Sequence, residues 1–447
     1  MSKPADALSV LGDLVNRAKR AGADQADAVL VDGISLSHSQ RLGVIEKLER
    51  AEGFDLGLRV IIGKRQAIVS SNDRAADHER DLIPRAIEMA RAVPEDPYCG
   101  LADPAELAGD FPALDMVDPA EPAPEILVGR AAEAEDAARA VSGVSNSEGA
   151  QASWTRAEMA IVASNGFSGT YAGTGHSVAV AVLAGEGAAM ERDDDWDSAV
   201  HAADLKRPED IGRRAGERAV ARLKARKPAT ARVPVVYDPR VAGSLLRHLA
   251  GAINGTSIAR GTSFLKDKLG QRILPEGLTV TDDPHIKRGH RSMPFDAEGV
   301  ANRKRDVIAD GVLRTWLLDS ASARQLNLRT TGHAHRGPSS PPGPGPSNLY
   351  LAAGAVTAAE LIAEIESGLY ITELMGMGVN GITGDYSRGA AGFWIERGAL
   401  SYPVHEVTVA GNLKDMFLNL RPASDLEFRT GIDAPTLRIE GMTVAGA

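Results

Sequence analysis

Apolar residues at Leu8, Leu11, Leu14, Val15 and Ala18 recur at helical spacing, which predicts an amphipathic helix over Ala7–Arg20. Gly22 stands where a left-handed C-terminal cap would fall. Alternation and β-branched residues then mark Asp27–Val31, Ile34–Ser39, Gly43–Arg50, Phe54–Ile62 and Arg65–Ser70 as short strands, with bends expected at Gly33, Gly53 and Gly63. Helical spacing returns over Ala75–Val93. There Leu82, Ile83, Ile87 and Ala90 share a face, and Pro84 is expected to kink the helix or start a new one. The order helix, strand meander, helix is α+β patterning, not repeating βαβ.

Pro94–Pro124, rich in Pro, Ala and Asp, reads as an extended connection, and Pro124 suits the first turn of a helix over Glu125–Val141. Strands follow at Ala152–Ala163, Phe167–Ala172 and His176–Gly185, with Asn165–Gly166 as a hairpin turn. The acidic run Asp193–Asp195 reads as a turn, and Pro208–Lys224 as a helix. The second half alternates strands (Val233–Tyr237, Leu278–Asp282, Asp306–Ile308, Val312–Leu318, Leu349–Ala352, Tyr402–Val409, Thr436–Glu440) with helices at Val241–Ile253, Val356–Glu366 and Leu413–Leu420. Asn412 caps the last of these, with Asp415 placed as in a capping box. Thr330–Asn348 contains SSPPGPGPSN and is expected to be irregular, either mobile or draped over a surface.

A chain of 447 residues allows two or three domains. The charged stretch Lys224–Arg232 divides an N-terminal α+β domain, residues 1–228, from a β-rich C-terminal domain with flanking helices, residues 229–447. A net charge of −10 argues against a broad nucleic-acid surface. The one cysteine, Cys99, permits no intrachain disulfide and fits a reducing compartment. Met1–Ala18 has no apolar signal core, and no run approaches the roughly 20 apolar residues of a membrane span. A cytoplasmic protein without membrane or nucleic-acid partners is expected.

Candidate chemistry is sparse. A zinc peptidase helix needs two histidines one turn apart and a glutamate beside the first. The helix Val241–Ile253 has His248 alone, flanked by Arg247 and Leu249, with Ala252 and Ile253 four and five residues on. His333 with His335, and His285 with His290, are loose pairs that could reach one ion, but zinc usually takes three or four protein ligands. There is no G-x-S-x-G elbow and no Gly-Lys-Ser/Thr triplet. Gly376, Gly378 and Gly381 match G-x-G-x-x-G by spacing, but no helix pattern follows them. The densest feature is Gly376–Glu396, GMGVNGITGDYSRGAAGFWIE. Its six glycines interleave with Asp385, Tyr386, Ser387, Arg388, Phe393 and Trp394. It reads as an ordered loop running into a strand at Gly392–Glu396.

Several long stretches resemble the TldD/PmbA family, in its PmbA (TldE) branch: HLAGAINGTSIARGTSFLKDKLGQ at 248–271, PSNLYL at 346–351, GDYSRGAAGFWIE at 384–396, YPVHEVTVAGNLKDMF at 402–417 and IEGMTVAG at 439–446. The family carries the older label modulator of DNA gyrase. The resemblance implies the family's two-domain fold and a subunit that pairs with a zinc-bearing TldD-type subunit. Such a pair forms a metalloprotease acting on unfolded peptides. It further implies no catalytic residue, metal ligand or cofactor in this chain, zinc in the partner, and a metallopeptidase relative that is not catalytic alone. A homodimer in isolation is compatible with it. On this reading Gly384, Asp385, Tyr386, Ser387 and Arg388 line a cleft for an extended peptide; alternatively, Asp385 and Arg388 pair with each other and only hold the loop. Two other functions stay open: a free-standing hydrolase with an atypical metal site, for instance at His333 and His335, and a non-proteolytic peptide-binding scaffold.

Overall fold

The computed structural model describes residues 4–73 and 76–446, with the side chains of residues 4, 5 and 76–80 outside the description. Met1–Lys3 and Ala75, which the sequence reading touches, also lie outside it. Helix α1, Pro4–Arg20, buries Leu11, Leu14, Val15 and Ala18. It ends at Gly22 with φ +106°, where Gly22 N donates to Lys19 O and Ala23 N to Ala18 O. That is the expected cap, in its two-bond form.

Six antiparallel strands follow: β1 (Gln25–Arg41), β2 (Val44–Ile62), β3 (Arg65–Ser71), β4 (Val144–Ala163), β5 (Ser168–Ala184) and β6 (Glu191–Ala199), in the order β3-β2-β1-β4-β5-β6. The four short strands expected before residue 63 are halves of β1 and β2. Gly33 and Gly53 are not bends; they face each other in mid-strand. The chain turns at Leu42–Gly43 instead, both at positive φ, and, as expected, at Gly63 with φ +58°. The strands run on because one face stays apolar across the glycines: Ala26, Ala28, Leu30 and Leu36 all point to the helices. That face is covered by α1 and α2 (Ala76–Ala92) at one end, and by α3 (Pro124–Arg139) and α4 (Pro208–Ala221) at the other. Helix α2 passes through Pro84 as one element.

The run Asp193–Asp195 is not a turn but the middle of β6. Asp193, Asp195 and Asp197 point inward and are buried. Arg214 and Arg218, one helical turn apart on α4, reach Asp195 at 2.7 and 2.9 Å. Arg222 and Arg240 reach Asp193 at 3.4 and 2.9 Å. Buried carboxylates of this kind persist only when paired, so the arginines turn an acidic run into strand.

The C-terminal region is built on β7 (Ala231–Tyr237), β8 (Ser367–Met375), β9 (Asp385–Glu396), β10 (Ala399–Asn412) and β11 (Leu437–Ala445). Each pairs with two of the others: β10 with β9, β9 with β8, β8 with β7, β7 with β11, and β11 back to β10. The ring is a closed barrel. Helix α5, Pro239–Ala252, packs Leu245, Leu246 and Leu249 into the same apolar core. A second sheet, containing Val280–Asp282, Arg305–Ala309 and Leu349–Leu351, flanks it. The proline-rich segment is draped, with a short pairing of Ala334–His335 to Gly343–Pro344. Its Pro338 backbone lies where a Cβ on Gly57 would sit. Its Arg336 is fully buried against Asp27 of β1, at 2.7 Å, with Arg59 of β2 donating to the same carboxylate. Further on, the helix expected over Val356–Glu366 is confined to Ala358–Ala363 by a Thr357–Glu360 capping box. Asn412 caps Leu413–Leu418 through Lys414 N, without Asp415 completing a box. The whole is α+β: a helix-backed antiparallel sheet followed by a β-rich barrel region.

Candidate functional site

The glycine-rich segment divides into a loop, 376–384, and strand β9. Asp385–Arg388 therefore sit on the strand, which starts seven residues earlier than expected. The loop folds back on that strand. Val379 bridges Tyr386, Ser387 N donates to Gly378 O at 2.7 Å, and Asn380 N donates to Asp385 O at 2.8 Å. Gly378 must be glycine for this approach, since a Cβ there would lie 2.0 Å from Ser387 O. Gly376 and Gly384 take φ of +74° and +86°, the left-handed region that glycine enters without strain. Asn380 Oδ1 accepts from Ile382 N and Thr383 N. Phe264 N donates to Gly381 O, and Leu413 N to Gly384 O. The loop is thus tied to two neighbouring segments while Met377 and Ile382 stay 85% and 62% exposed.

The five named residues divide by strand alternation. Asp385 and Ser387 face solvent, Tyr386 is 1% exposed, and Arg388 is half-buried. Asp385 accepts from Thr383 Oγ1 at 2.6 Å and Asn412 Nδ2 at 3.0 Å. Those hydrogen bonds hold its carboxyl below the usual carboxylate value. Arg388 Nε donates to Met375 O at 3.4 Å. The contacts that hold Asp385 come from Thr383 and Asn412, so the loop is not closed by an Asp385–Arg388 pair. Tyr386 packs inside the barrel beside Tyr237, and burial raises its phenol above the ordinary value. Its ring meets His248 of α5 edge-on, centroids 6.0 Å apart. The sequence does not single out Thr383 and Asn380, and marks Asn412 only as a helix cap and not as a partner of Asp385. The signal was present: Asn and Thr flanked by glycines form local side-chain-to-backbone turns.

His248 is where the family's zinc would be sought, and the residues do not fit that ion. Its Nε2 is buried with no hydrogen-bond partner among the described residues. Burial lowers its pKa, and Arg388 and Arg247 lower it further. Two guanidinium groups disfavour a dication, no carboxylate among the described residues stands beside the imidazole, and Leu249, Ala252 and Ile253 are core residues. Among the described residues no three His, Cys, Asp or Glu side chains are placed to share a metal. Three of the other candidate histidines have separate partners. His333 Nε2 lies 3.3 Å from Asp282 and its Nδ1 2.8 Å from Thr331 Oγ1. His335 Nε2 lies 3.1 Å from Gly345 O; burial first, then Arg291 and His333, push its pKa down to about 4. His285 Nε2 is 2.8 Å from Asn302 Oδ1.

A cleft of about 450 Å³ opens on the face of the N-terminal sheet away from the helices, lined by Val31, Met116, Tyr171, Gly173, His290 and Ser292 among others. None of residues 384–388 lines it.

Comparison with known proteins agrees along the whole chain. Residues 26–93 match the PmbA/TldA metallopeptidase domain 1, residues 117–223 its central domain and residues 230–446 its C-terminal domain. Metalloprotease PmbA of Escherichia coli O157:H7 is 39% identical over 426 residues, covering 95% of this chain and 93% of that one. A metalloprotease PmbA homolog of Haemophilus influenzae is 34% identical over 438 residues, 97% and 94% of the two chains. A Bacteroides thetaiotaomicron crystal structure, described as a modulator of DNA gyrase, superposes with a TM-score of 0.90 at 28% identity, covering 98% of both chains. TldE from Thermococcus kodakarensis shares the fold at a TM-score of 0.86 and 20% identity, covering 97% of this chain and 99% of that one. The chain belongs to the PmbA/TldD family of metallopeptidase-related proteins.

Proposed function

We propose that this chain is the PmbA/TldE-type subunit of a two-subunit metalloprotease. It lacks the means to activate water, pairs with a zinc-bearing TldD-type chain, and presents residues 384–388 and the loop before them to an extended, unfolded peptide. The observation that carries this reading is α5. The positions a zinc peptidase would fill with glutamate and a second histidine hold Leu249, Ala252 and Ile253, all buried in the barrel core, and the neighbouring charges are Arg247 and Arg388. A helix committed to packing in this way leaves the hydrolytic step to another chain. The division into residues 1–228 and 229–447 and a cytoplasmic location belong to the same proposal.

The peptide-facing role rests on exposure and rigidity. Ser387, Asp385 and the half-buried Arg388 are outward or partly outward on a strand whose loop is pinned by hydrogen bonds. With both edges of the strand paired, such a surface meets a peptide through side chains and the preceding loop, without reordering.

The test is reconstitution with a TldD-type chain and an unfolded peptide. Cleavage is expected only with both chains present, with zinc in the TldD-type chain. Arg388→Ala should raise KM about tenfold, the loss of one charge-assisted hydrogen bond, with kcat unchanged. Stoichiometric zinc in this chain alone, with chelator-sensitive peptidase activity, would overturn the assignment.

A further inference from the structure

The cleft of about 450 Å³ on the open face of the N-terminal sheet takes no part in the function proposed above. Its floor is β4 and β5, where Gly173 and Gly175 present backbone in place of side chains. Its walls are Met116 of the connection before α3, Met159 and Tyr171 of the strands, and His290 and Ser292 of a C-terminal loop. Glu158 borders it through backbone only. That residue stands opposite Asp32 and shares the strand face of Ala160, which is packed into the helix-covered core. Among the residues that line the cleft, no acidic, lysine or arginine side chain faces it. Two methionines adapt to irregular apolar shapes, so the cleft suits an uncharged, apolar group.

The cleft lies at an incomplete sheet edge. Strand β6 pairs with β5 only from His176 to Ala184. Just before His176, Thr174 N donates to Met116 O. Backbone groups that point outward alternate along a strand, so the N–H and C=O of Ala172 and Thr170 point the same way. No described strand lies opposite them, and both residues are partly exposed. Met116 thus shows the edge accepting backbone, and the next positions along it are unfilled. The wall above is held at a cost. Asp115 and Arg288, one and two residues before Met116 and His290, take φ of +53° and +56°. Arg288 Nε reaches Asp115 at 2.6 Å, and Arg288 N donates to Leu114 O. Such non-glycine residues cost roughly 1–3 kcal/mol each and collect at ligand clamps and other functional sites.

We propose that this cleft is a second peptide site, in which an extended segment adds to β5 at Ala172 and Thr170 and seats one apolar side chain over Gly173, between Met116, Met159 and Tyr171. A free strand edge recognises backbone whatever the sequence, and the pocket beside it selects the side chain. The choice of occupant rests on the reading of this chain as a subunit that meets unfolded peptide. The site itself is separate from residues 384–388, none of which lines the cleft. Strand β9 is paired on both sides and offers no such edge.

The test uses the full-length chain alone. One probe is a short fluorescein-labelled Gly/Ser peptide with a single central leucine; a second carries a benzophenone side chain in place of the leucine. Irradiation should attach the benzophenone probe to Met116 or Met159. In fluorescence anisotropy, Gly173→Leu should bind the leucine peptide about tenfold more weakly, because the new side chain fills the pocket. The nearest atom to a Cβ at that position is Met116 O at 3.8 Å, so the backbone has room for it. Ala172→Pro should also weaken binding, by removing an outward N–H that no described strand receives. Aspartate in place of the leucine should abolish binding. Melting temperatures close to the wild-type value show that the variants fold, and photoattachment to the wild-type chain needs no variant. Attachment only at Met375 or Met377 would place the peptide on the loop before β9 and overturn this site, while leaving the metalloprotease reading intact. A leucine peptide that does not bind overturns it too, as does equal binding of the aspartate peptide or by folded Gly173→Leu. Absence of cleavage by the reconstituted pair would strike the metalloprotease reading without touching these measurements.

Discussion

The two β-assemblies of this molecule manage their edges in opposite ways. The C-terminal barrel has none: each of its five strands is paired on both sides. The N-terminal sheet stays open, with helices on one face, a charged ladder along β6 and a bare edge on β2. Closure forces backbones together, and side chains must vanish where they meet. In the barrel a Cβ on Gly392 would lie 1.9 Å from Tyr370 O. In the open sheet, Gly53 has nothing within 4 Å of where its Cβ would be. Gly392 is thus a structural necessity and Gly53 a dispensable weakness. The candidate peptide surface is built on the barrel, whose strands are each paired on both sides, and a preformed site gains from such support.

Gly392→Ala should break this contrast most severely. The added methyl cannot be relieved by a side-chain rotation, because it meets backbone of the adjacent strand. A loss of about 4–5 kcal/mol, the exceptional end of point-mutant effects, is expected in urea unfolding. A loss below about 1 kcal/mol would mean that β8 and β9 are not held as tightly as closure implies.

Asp27→Asn should come next, and it tests how the open sheet is joined to the rest. Burial raises the Asp27 carboxyl, but Arg336 and Arg59 outweigh it and hold the group below its ordinary value. A carboxylate with a lowered folded pKa contributes stability that is present above its unfolded value, near pH 4, and is lost as pH falls through the folded one. The variant leaves Arg59 and Arg336 buried without their anion, so about 3 kcal/mol should disappear at pH 7. The wild-type chain should lose stability on acidification below pH 4, whereas Asp27→Asn should be flatter there. Equal acid sensitivity in the two would remove Asp27 as the link between β1 and the proline-rich segment.

How far the sequence betrayed this division depends on the range of the signal. Helix α1 with Gly22, the Asn165–Gly166 hairpin and the cap at Asn412 were legible because each is decided within a few residues. The class α+β followed from their order. The long strands were not, since a glycine in mid-strand and a glycine in a bend look alike until the partner strand is known. The Asp193–Asp195 ladder was hidden for the same reason: its arginines lie 19 to 47 residues away. At the site, the residue set 384–388 was legible through its resemblance to the family, but its geometry was not. Alternation along β9 sends Tyr386 into the core and leaves Asp385 and Ser387 outside, and that required knowing where the strand begins.

The smallest expected effect has the opposite sign. Gly53 lies in mid-strand on β2, opposite Gly33, exposed and without positive φ. Glycine in a strand interior costs roughly 0.5–1 kcal/mol relative to alanine, because the unfolded chain loses more freedom. With no atom near its Cβ position, Gly53→Ala should recover most of that and stabilise the N-terminal sheet by about 0.5 kcal/mol in urea unfolding. If alanine instead destabilises the dilute chain, something covers the sheet there, and the open half would be less open than its strands imply.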